Sequence, residues 1–340
     1  MKHKQLLWIL FLVVLAVLLL QRHRTITEFN GTTMGTTYLF KVVLPVGVQP
    51  SVVQWEINQC LSEFEGSMST YDKTSEISRF NGLRSLEAID ISPLFYEVMS
   101  ASFYYYELSD YAWDPTIKPL LDLWRFSEVR DSLGLLSDVP SYDDISTVKK
   151  SVGLNQLQLN YPHFLQKSNL DVHLDLSSIA KGYAVDKLKD VLVSYGASAG
   201  LLEIGGEMAA WGYKPSGKEW RIGINTPDYE ASRSEVYTAV SLTNQALATS
   251  GDYRNYIELN SKRYSHIIDP RTGYPVTHSV ASVSVRAPTC MMADALATAL
   301  MVLGPDEGLA IINRLPDVEA LFFIRREGQA FGVVFSDGWE

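Results

Sequence analysis

The sequence predicts an α+β fold, a mixed or antiparallel sheet core with flanking helices, preceded by an N-terminal signal-anchor helix. Helical periodicity marks several segments before Gly200, and short strand-turn-strand runs dominate after it. Helices and strands segregate only partly, and hairpin-type strand pairs outnumber βαβ units. A chain of 340 residues, 46% hydrophobic and 20% charged, has room for well-buried cores and is too apolar to be disordered. Its formal net charge of −10 and the lack of a basic stripe argue against nucleic-acid binding.

Taken in order, Lys2 and Lys4 precede an unbroken apolar run, Leu6 to Leu20, which Gln21, Arg22, His23 and Arg24 close. A run apolar on every face suits a membrane or a signal sequence better than a soluble helix. It has no Ala-x-Ala-like cleavage site and no cysteine after it to accept a lipid. Residues 1–24 therefore read as an uncleaved signal-anchor, with a cleaved peptide as the alternative. Residues 25–340 then form one domain on the outer, periplasmic face of the cytoplasmic membrane. Thr25 to Asn30 reads as a polar linker and Thr36–Leu44 as a strand. Val52–Phe64 has apolar residues at helical spacing. Ser92-Pro93, an N-cap followed by proline, opens a helix running to about Leu108. Ser137–Val148 is polar and reads as a connection, and Ile179–Tyr195 as a helix. Strands follow at Leu201–Ile204, Trp220–Ile224, Glu235–Leu242, Tyr256–Leu259 and Val280–Val285. A helix from Met292 to about Leu303 and a strand pair, Ala320–Arg325 and Ala330–Phe335, close the chain. Two cysteines, Cys60 and Cys290, exclude a disulfide framework. The six histidines lack zinc-ligand spacing.

On a helix, Asp294 and Thr298 stand at i and i+4 and share a face. A carboxylate and a hydroxyl so spaced make half a site for a hard cation such as magnesium. A dipole-favoured acid and a threonine folded onto its own turn fit the same spacing. In Leu174–Ala184, a strand end, Ser177-Ser178 and a helix start gather backbone N–H groups that suit a phosphate, and Lys181 adds charge. Plain capping by either serine is the alternative. His266 precedes a turn built from Asp269-Pro270 and Thr272-Gly273, where it suits a general base or a structural role. Arg271 reads as a structural partner of Asp269. The glycine turns Met34-Gly35-Thr36, Ile204–Glu207 and Thr249–Tyr253 carry no dinucleotide or phosphate-loop signature. Ser250 lies outside any nucleophile elbow.

In this order, Thr33–Thr36, Ser69–Tyr71, Ile77–Asn81, Asp114–Thr116, Leu174–Asp186, Ile204–Gly206, Ala248–Tyr253, His266–Gly273 and Ala287–Thr298 resemble the ApbE family of FAD:protein FMN transferases, from about Phe29 to the C-terminus. The resemblance implies an α+β fold with the active site at a domain junction. It also implies Mg²⁺ held by the Ala180 carbonyl and the side chains of Asp294 and Thr298. Met34 and Tyr71 would contact the flavin, Ala112, Trp113 and Asp114 would line the FAD site, and Asp175, Ser178, Lys181 and Ile268 would meet the nucleotide. His266 would be the base. Where family members carry Gly-Gly and Gly-Gly-Asp, this chain has Ser177-Ser178 and a motif ending in Glu207. The implied reaction moves FMN from FAD to a threonine or serine of an acceptor protein, such as a membrane respiratory or electron-transfer subunit, and releases AMP. The alternatives are an Mg²⁺-dependent FAD pyrophosphatase and a non-catalytic FAD-binding protein.

Overall fold

A computed structural model of the protein describes residues 25–125, 139–227, 236–252, 256–259, 262–326 and 330–339, together with Trp8. The rest of the expected signal-anchor lies outside the described residues.

An eight-stranded sheet forms the centre. Its strands, in spatial order, are β1 (Thr27–Thr33), β2 (Thr36–Val43), β6 (Ala199–Ile204), β7 (Glu207–Trp211), β10 (Gln245–Gly251), β15 (Val280–Ala287), β16 (Glu319–Ile324) and β17 (Gly332–Phe335). Every neighbouring pair is antiparallel. Alternation along the strands sends Phe40, Val42, Leu202, Ile204 and Ala246 to one face, and Val43, Ala199, Ala210 and Leu247 to the other. Three helices cover the first face: α1 (Pro50–Met68), α6 (Ala180–Ser194) and α7 (Cys290–Ile312). The hairpin of β8 (Trp220–Asn225) and β9 (Val236–Leu242) covers the second with Trp220, Ile222, Ile224, Val240 and Leu242. Helix α3 (Pro93–Leu108) and the small sheet of β3 (Ile89–Asp90), β5 (Phe164–Lys167) and β4 (Leu157–Asn160) extend the core that contains α1 and α6. As the sequence predicts, Ser92 caps α3 by accepting from the Phe95 N–H, with Pro93 at its first turn.

Two expectations are corrected and a third is extended. The linker expected at Thr25 to Asn30 is largely strand β1, fully paired with β2. Its apolar content is slight, but Phe29 is buried and the Tyr38 ring lies across Gly31, where a Cβ would sit 2.7 Å from that ring. Cross-strand cover of an edge glycine thus replaces the missing hydrophobic pattern. The connection expected over Ser137–Val148 contains helix α5 (Tyr142–Val148), capped by Ser141 and buried through Ile145; residues 137 and 138 lie outside the described set. The helix expected to stop near Leu303 resumes after a break at Gly304 (φ 75°), with Pro305 starting the second part. By length and composition α7 is apolar enough to cross a membrane. Here its apolar content goes into the core, which takes Cys290, Ala293–Ala297, Ala299–Val302 and Ile312. Both cysteines are free.

Candidate active site

Helices α6 and α7 pack against each other on one face of the sheet, and a glycine permits the close approach. A Cβ on Gly182 would lie 2.4 Å from the Cys290 carbonyl oxygen. The contact is tied twice: the Asp186 carboxylate accepts from the N–H groups of Cys290 and Met291, each at 2.9 Å. In return, Asp294 Oδ2 accepts from the Gly182 N–H at 2.9 Å. These bonds fix Asp294 beside the start of α6.

Around that junction lies a cavity of about 370 Å³, lined among others by Trp113, Asp175, Ser178, Lys181, His266 and Asp294. A second cavity of about 330 Å³ shares Asp175, Ser177 and Lys181 with it and is walled by Met34, Gly35, Glu65, Met68 and Tyr71. The two together are the size of a dinucleotide site with a polar half and an apolar half.

The expected site residues fall as follows. Ala112, Trp113, Asp114, Asp175, Ser178, Lys181, His266, Ile268, Asp294 and Thr298 line the first cavity. Met34, Tyr71 and Ala180 line the second. Met34 takes a left-handed backbone (φ 49°), and its N–H donates to Glu65 Oε1 at 2.7 Å, which fixes the turn. Tyr71 is 93% exposed at the rim. Neither serine caps α6, whose cap residue is Ile179. Instead, Ser178 Oγ accepts from Trp113 Nε1 at 3.0 Å and so fixes one cavity wall. Thr298 reaches across to β10, its Oγ1 lying 3.0 Å from Ser250 Oγ. Arg271 pairs with Asp269 at 3.0 Å, the structural role read for it.

Two residues of the cavity, Glu207 and Ser250, have no site role in the sequence reading. Glu207 opens β7 and is buried, its Oε1 2.9 Å from Lys181 Nζ, while its buried Oε2 has no hydrogen-bond partner. Ser250 faces Thr298. The motifs Ile204–Glu207 and Ala248–Tyr253 were visible, but nothing local distinguishes their residues from turn formers.

Charge in the cavity is uneven. Burial pushes the Glu207 carboxyl up to about 7, against the pull of Lys181, with Asp294 raising it further. Burial also raises Asp294, again opposed by Lys181. For Lys181, burial favours the neutral amine, but Asp294 and Glu207 outweigh it and raise the ammonium above its usual range. One cation thus serves two buried carboxylates. Among the described residues no group of three His, Cys, Asp or Glu side chains could hold a metal, so a cation beside Asp294 would draw on neutral oxygens as well as carboxylate. The Thr298 and Ser250 hydroxyls and the shortage of positive charge fit a hard divalent ion.

Asp114 plays a different part. Its Oδ1 accepts from the Thr116 N–H and hydroxyl at 2.8 and 2.6 Å, and its Oδ2 from the Leu154 N–H at 3.3 Å, so the carboxylate holds the loop that carries Trp113. Burial pushes this carboxyl up to about 6 from an ordinary 3.8, against those hydrogen bonds. The folded state therefore binds the proton more tightly than the unfolded chain. The favourable contribution is complete below pH 3.8 and is lost as pH rises through about 6. Asp114→Asn should remove up to about 3 kcal/mol of that decline. Melting temperatures recorded from pH 4 to 7 should fall less steeply in the variant. A residual slope is expected from Asp186, which burial also lifts to about 6. An unaltered slope would reject a protonated Asp114.

The ApbE family profile matches residues 34–322. A FAD:protein FMN transferase of Vibrio cholerae is 38% identical over 314 residues, 90% of this chain and 92% of that protein. The enzyme of the same name from Escherichia coli K12 is 34% identical over 309 residues, 90% of this chain and 86% of its own. Among solved structures, the apo flavinyl transferase ApbE of Pseudomonas stutzeri superposes with a TM-score of 0.82 at 37% identity, covering 92% of this chain and 95% of that one. With its antiparallel sheet, its helical layer and this likeness over nearly its whole folded length, the chain belongs to the ApbE family and is an enzyme of the flavin-transferase class.

Proposed function

We propose that the chain moves FMN from FAD to a threonine or serine hydroxyl of an acceptor protein, with Mg²⁺ bound and AMP released. The observation that supports it is one cavity lined by Asp294, Thr298, Lys181 and His266, which shares Asp175, Ser177 and Lys181 with an apolar cavity at Met34 and Tyr71. The apolar half suits the isoalloxazine ring, with Met34 and Tyr71 against it. The polar half suits the diphosphate and AMP portion, with Trp113 and Ile268 as its walls and Asp175, Ser178 and Lys181 as its polar contacts. The acceptor hydroxyl attacks the phosphorus on the FMN side. A phosphoester bond forms, the P–O–P bridge breaks, and AMP leaves with the bridging oxygen. His266 takes the hydroxyl proton. Lys181 holds the diphosphate by charge. Asp294, Thr298 and the Ala180 carbonyl would hold Mg²⁺, which when bound neutralises charge on the diphosphate.

Incubation with FAD, Mg²⁺ and a candidate acceptor subunit tests the reading, with in-gel flavin fluorescence as the readout. Covalent flavin on the acceptor is expected. Free FMN and AMP without labelled protein would point to a pyrophosphatase, and FAD that stays intact to a binding protein.

The apolar run Leu6–Leu20 supports attachment to the cytoplasmic membrane, with the catalytic domain on its outer face, where it would meet a membrane acceptor. Membrane fractions of cells expressing the full chain should hold the protein through a salt wash. External protease should degrade it in spheroplasts. Recovery in the soluble cytoplasmic fraction would dismiss the anchor.

A further inference from the structure

The Lys181 ammonium stands between two buried carboxylates and is shared unequally. It hydrogen-bonds Glu207 Oε1 at 2.9 Å but lies 3.9 Å from Asp294 Oδ1, a charge contact without a hydrogen bond. Its position is held from the Glu207 side by a rigid element. Glu207 is the first residue of β7 and is paired with Ile204 across a turn whose Gly205 and Gly206 take positive φ. A Cβ on Gly205 would lie 2.7 Å from Thr36 Cγ2, so the turn sits close on β2 and has little room to shift. Glu207 is also buried with one carboxylate oxygen unpartnered, so it keeps unused capacity to accept a hydrogen bond from the same ammonium.

We infer that Glu207 is a positioning residue that holds the Lys181 ammonium away from Asp294 and thereby sets the affinity of the Asp294 site for a divalent cation. The inference rests on the reading of Asp294 and Thr298 as the cation site. An ammonium and a divalent ion compete for one carboxylate, and at a few ångströms in a buried site their repulsion is large. With Glu207 ionised, Lys181 has an alternative partner and Asp294 stays available. Without it, Asp294 is the remaining carboxylate beside the ammonium among the described residues, and the lysine becomes an internal competitor of the metal. The same arrangement keeps Lys181 charged and oriented into the cavity, where the diphosphate is to bind.

The test is a double-mutant cycle read by Mn²⁺ binding, from the free-ion electron paramagnetic resonance signal, without FAD. Glu207→Gln is expected to weaken Mn²⁺ about tenfold when Lys181 is present and less than about twofold in a Lys181→Met background; Lys181→Met alone is expected to tighten it about tenfold. Equal weakening in both backgrounds would mean that Glu207 attracts the ion directly, and would overturn the inference. Circular dichroism and melting curves identify variants that fold. If Glu207→Gln does not, Lys181→Met carries the test, and unchanged Mn²⁺ affinity in it also overturns the inference. Asp294→Asn separates the two levels. If the unsubstituted protein binds no Mn²⁺, or Asp294→Asn leaves binding intact, the cation site itself is rejected. If Asp294→Asn removes binding while the cycle is flat, only the role of Glu207 falls.

Discussion

Asp294→Ala is expected to abolish flavin transfer, lowering the single-turnover rate by about 10³-fold or more, the loss of several kcal/mol of transition-state charge stabilisation. The residue has two jobs that must be separated. Its Oδ2 accepts the Gly182 N–H and so joins α6 to α7, while the rest of the carboxylate faces the cavity and Lys181. Truncation leaves the Gly182 N–H buried without a partner, which costs about 1–3 kcal/mol of stability in addition to any loss of chemistry. Asp294→Asn keeps the size and one acceptor oxygen, so it should fold with a smaller drop in melting temperature. An amide is a poor ligand for a hard cation beside a neutral hydroxyl, so the asparagine variant should be nearly as inactive as alanine. Inactivity in both variants with unequal stability is the signature of a carboxylate needed for its charge. An asparagine variant with more than a tenth of the normal rate would mean that Asp294 serves the fold and that the cation is held elsewhere.

How much of this was legible in the residues depends on how local the cause is. Helix α3 announces itself by Ser92 and Pro93 because a cap is a local device, whereas β1 does not, since its evidence lies in the ring of Tyr38 on the neighbouring strand. The spacing of Asp294 and Thr298 was visible as a shared helix face, but not which of two readings it served. A dipole-favoured acid needs no partner, and the structure gives this one Gly182 from another helix. The serines before α6 read locally as caps. Trp113, far away in sequence, claims the hydroxyl of Ser178. Glu207 shows the limit most clearly. After a Gly-Gly turn it looks like a strand's first exposed acid, and only β6, α6 and α7 together make it a buried partner of Lys181. The resemblance to the family, resting on many short motifs in order, grouped residues that the structure gathers around two adjoining cavities. It gave no account of the one position, Glu207, at which the chain departs from the expected acid.

His266→Ala is expected to retain FAD binding and to slow transfer by about 10²–10⁴-fold, the span of a lost general base. The residue stands just after β12 (Lys262–Ser265), and just before the short pair of β13 (Ile268–Asp269) with β14 (Tyr274–Pro275), which the Asp269–Arg271 contact and the Gly273 N–H bond to the Asp269 carbonyl brace at 3.0 and 2.7 Å. Trp124 donates its Nε1–H to the Gly273 carbonyl at 3.0 Å, tying that turn to the cluster of Leu120, Ile145 and Ile268. The histidine is therefore carried on a supported turn at the cavity wall, and its removal should not move the wall itself. Binding and chemistry should separate: an unchanged Kd for FAD with a fall confined to the rate of the bound complex. Added imidazole should restore part of the rate, because the small base can reach the space the side chain vacated. A parallel fall in FAD affinity would make His266 a substrate contact, and a variant with the normal rate would remove it from the reaction. The acceptor hydroxyl is a weak acid, so a cavity with charge stabilisation but no base should turn over slowly rather than stop. The loss at His266 therefore leaves a measurable residual rate, which charge stabilisation in the cavity sustains.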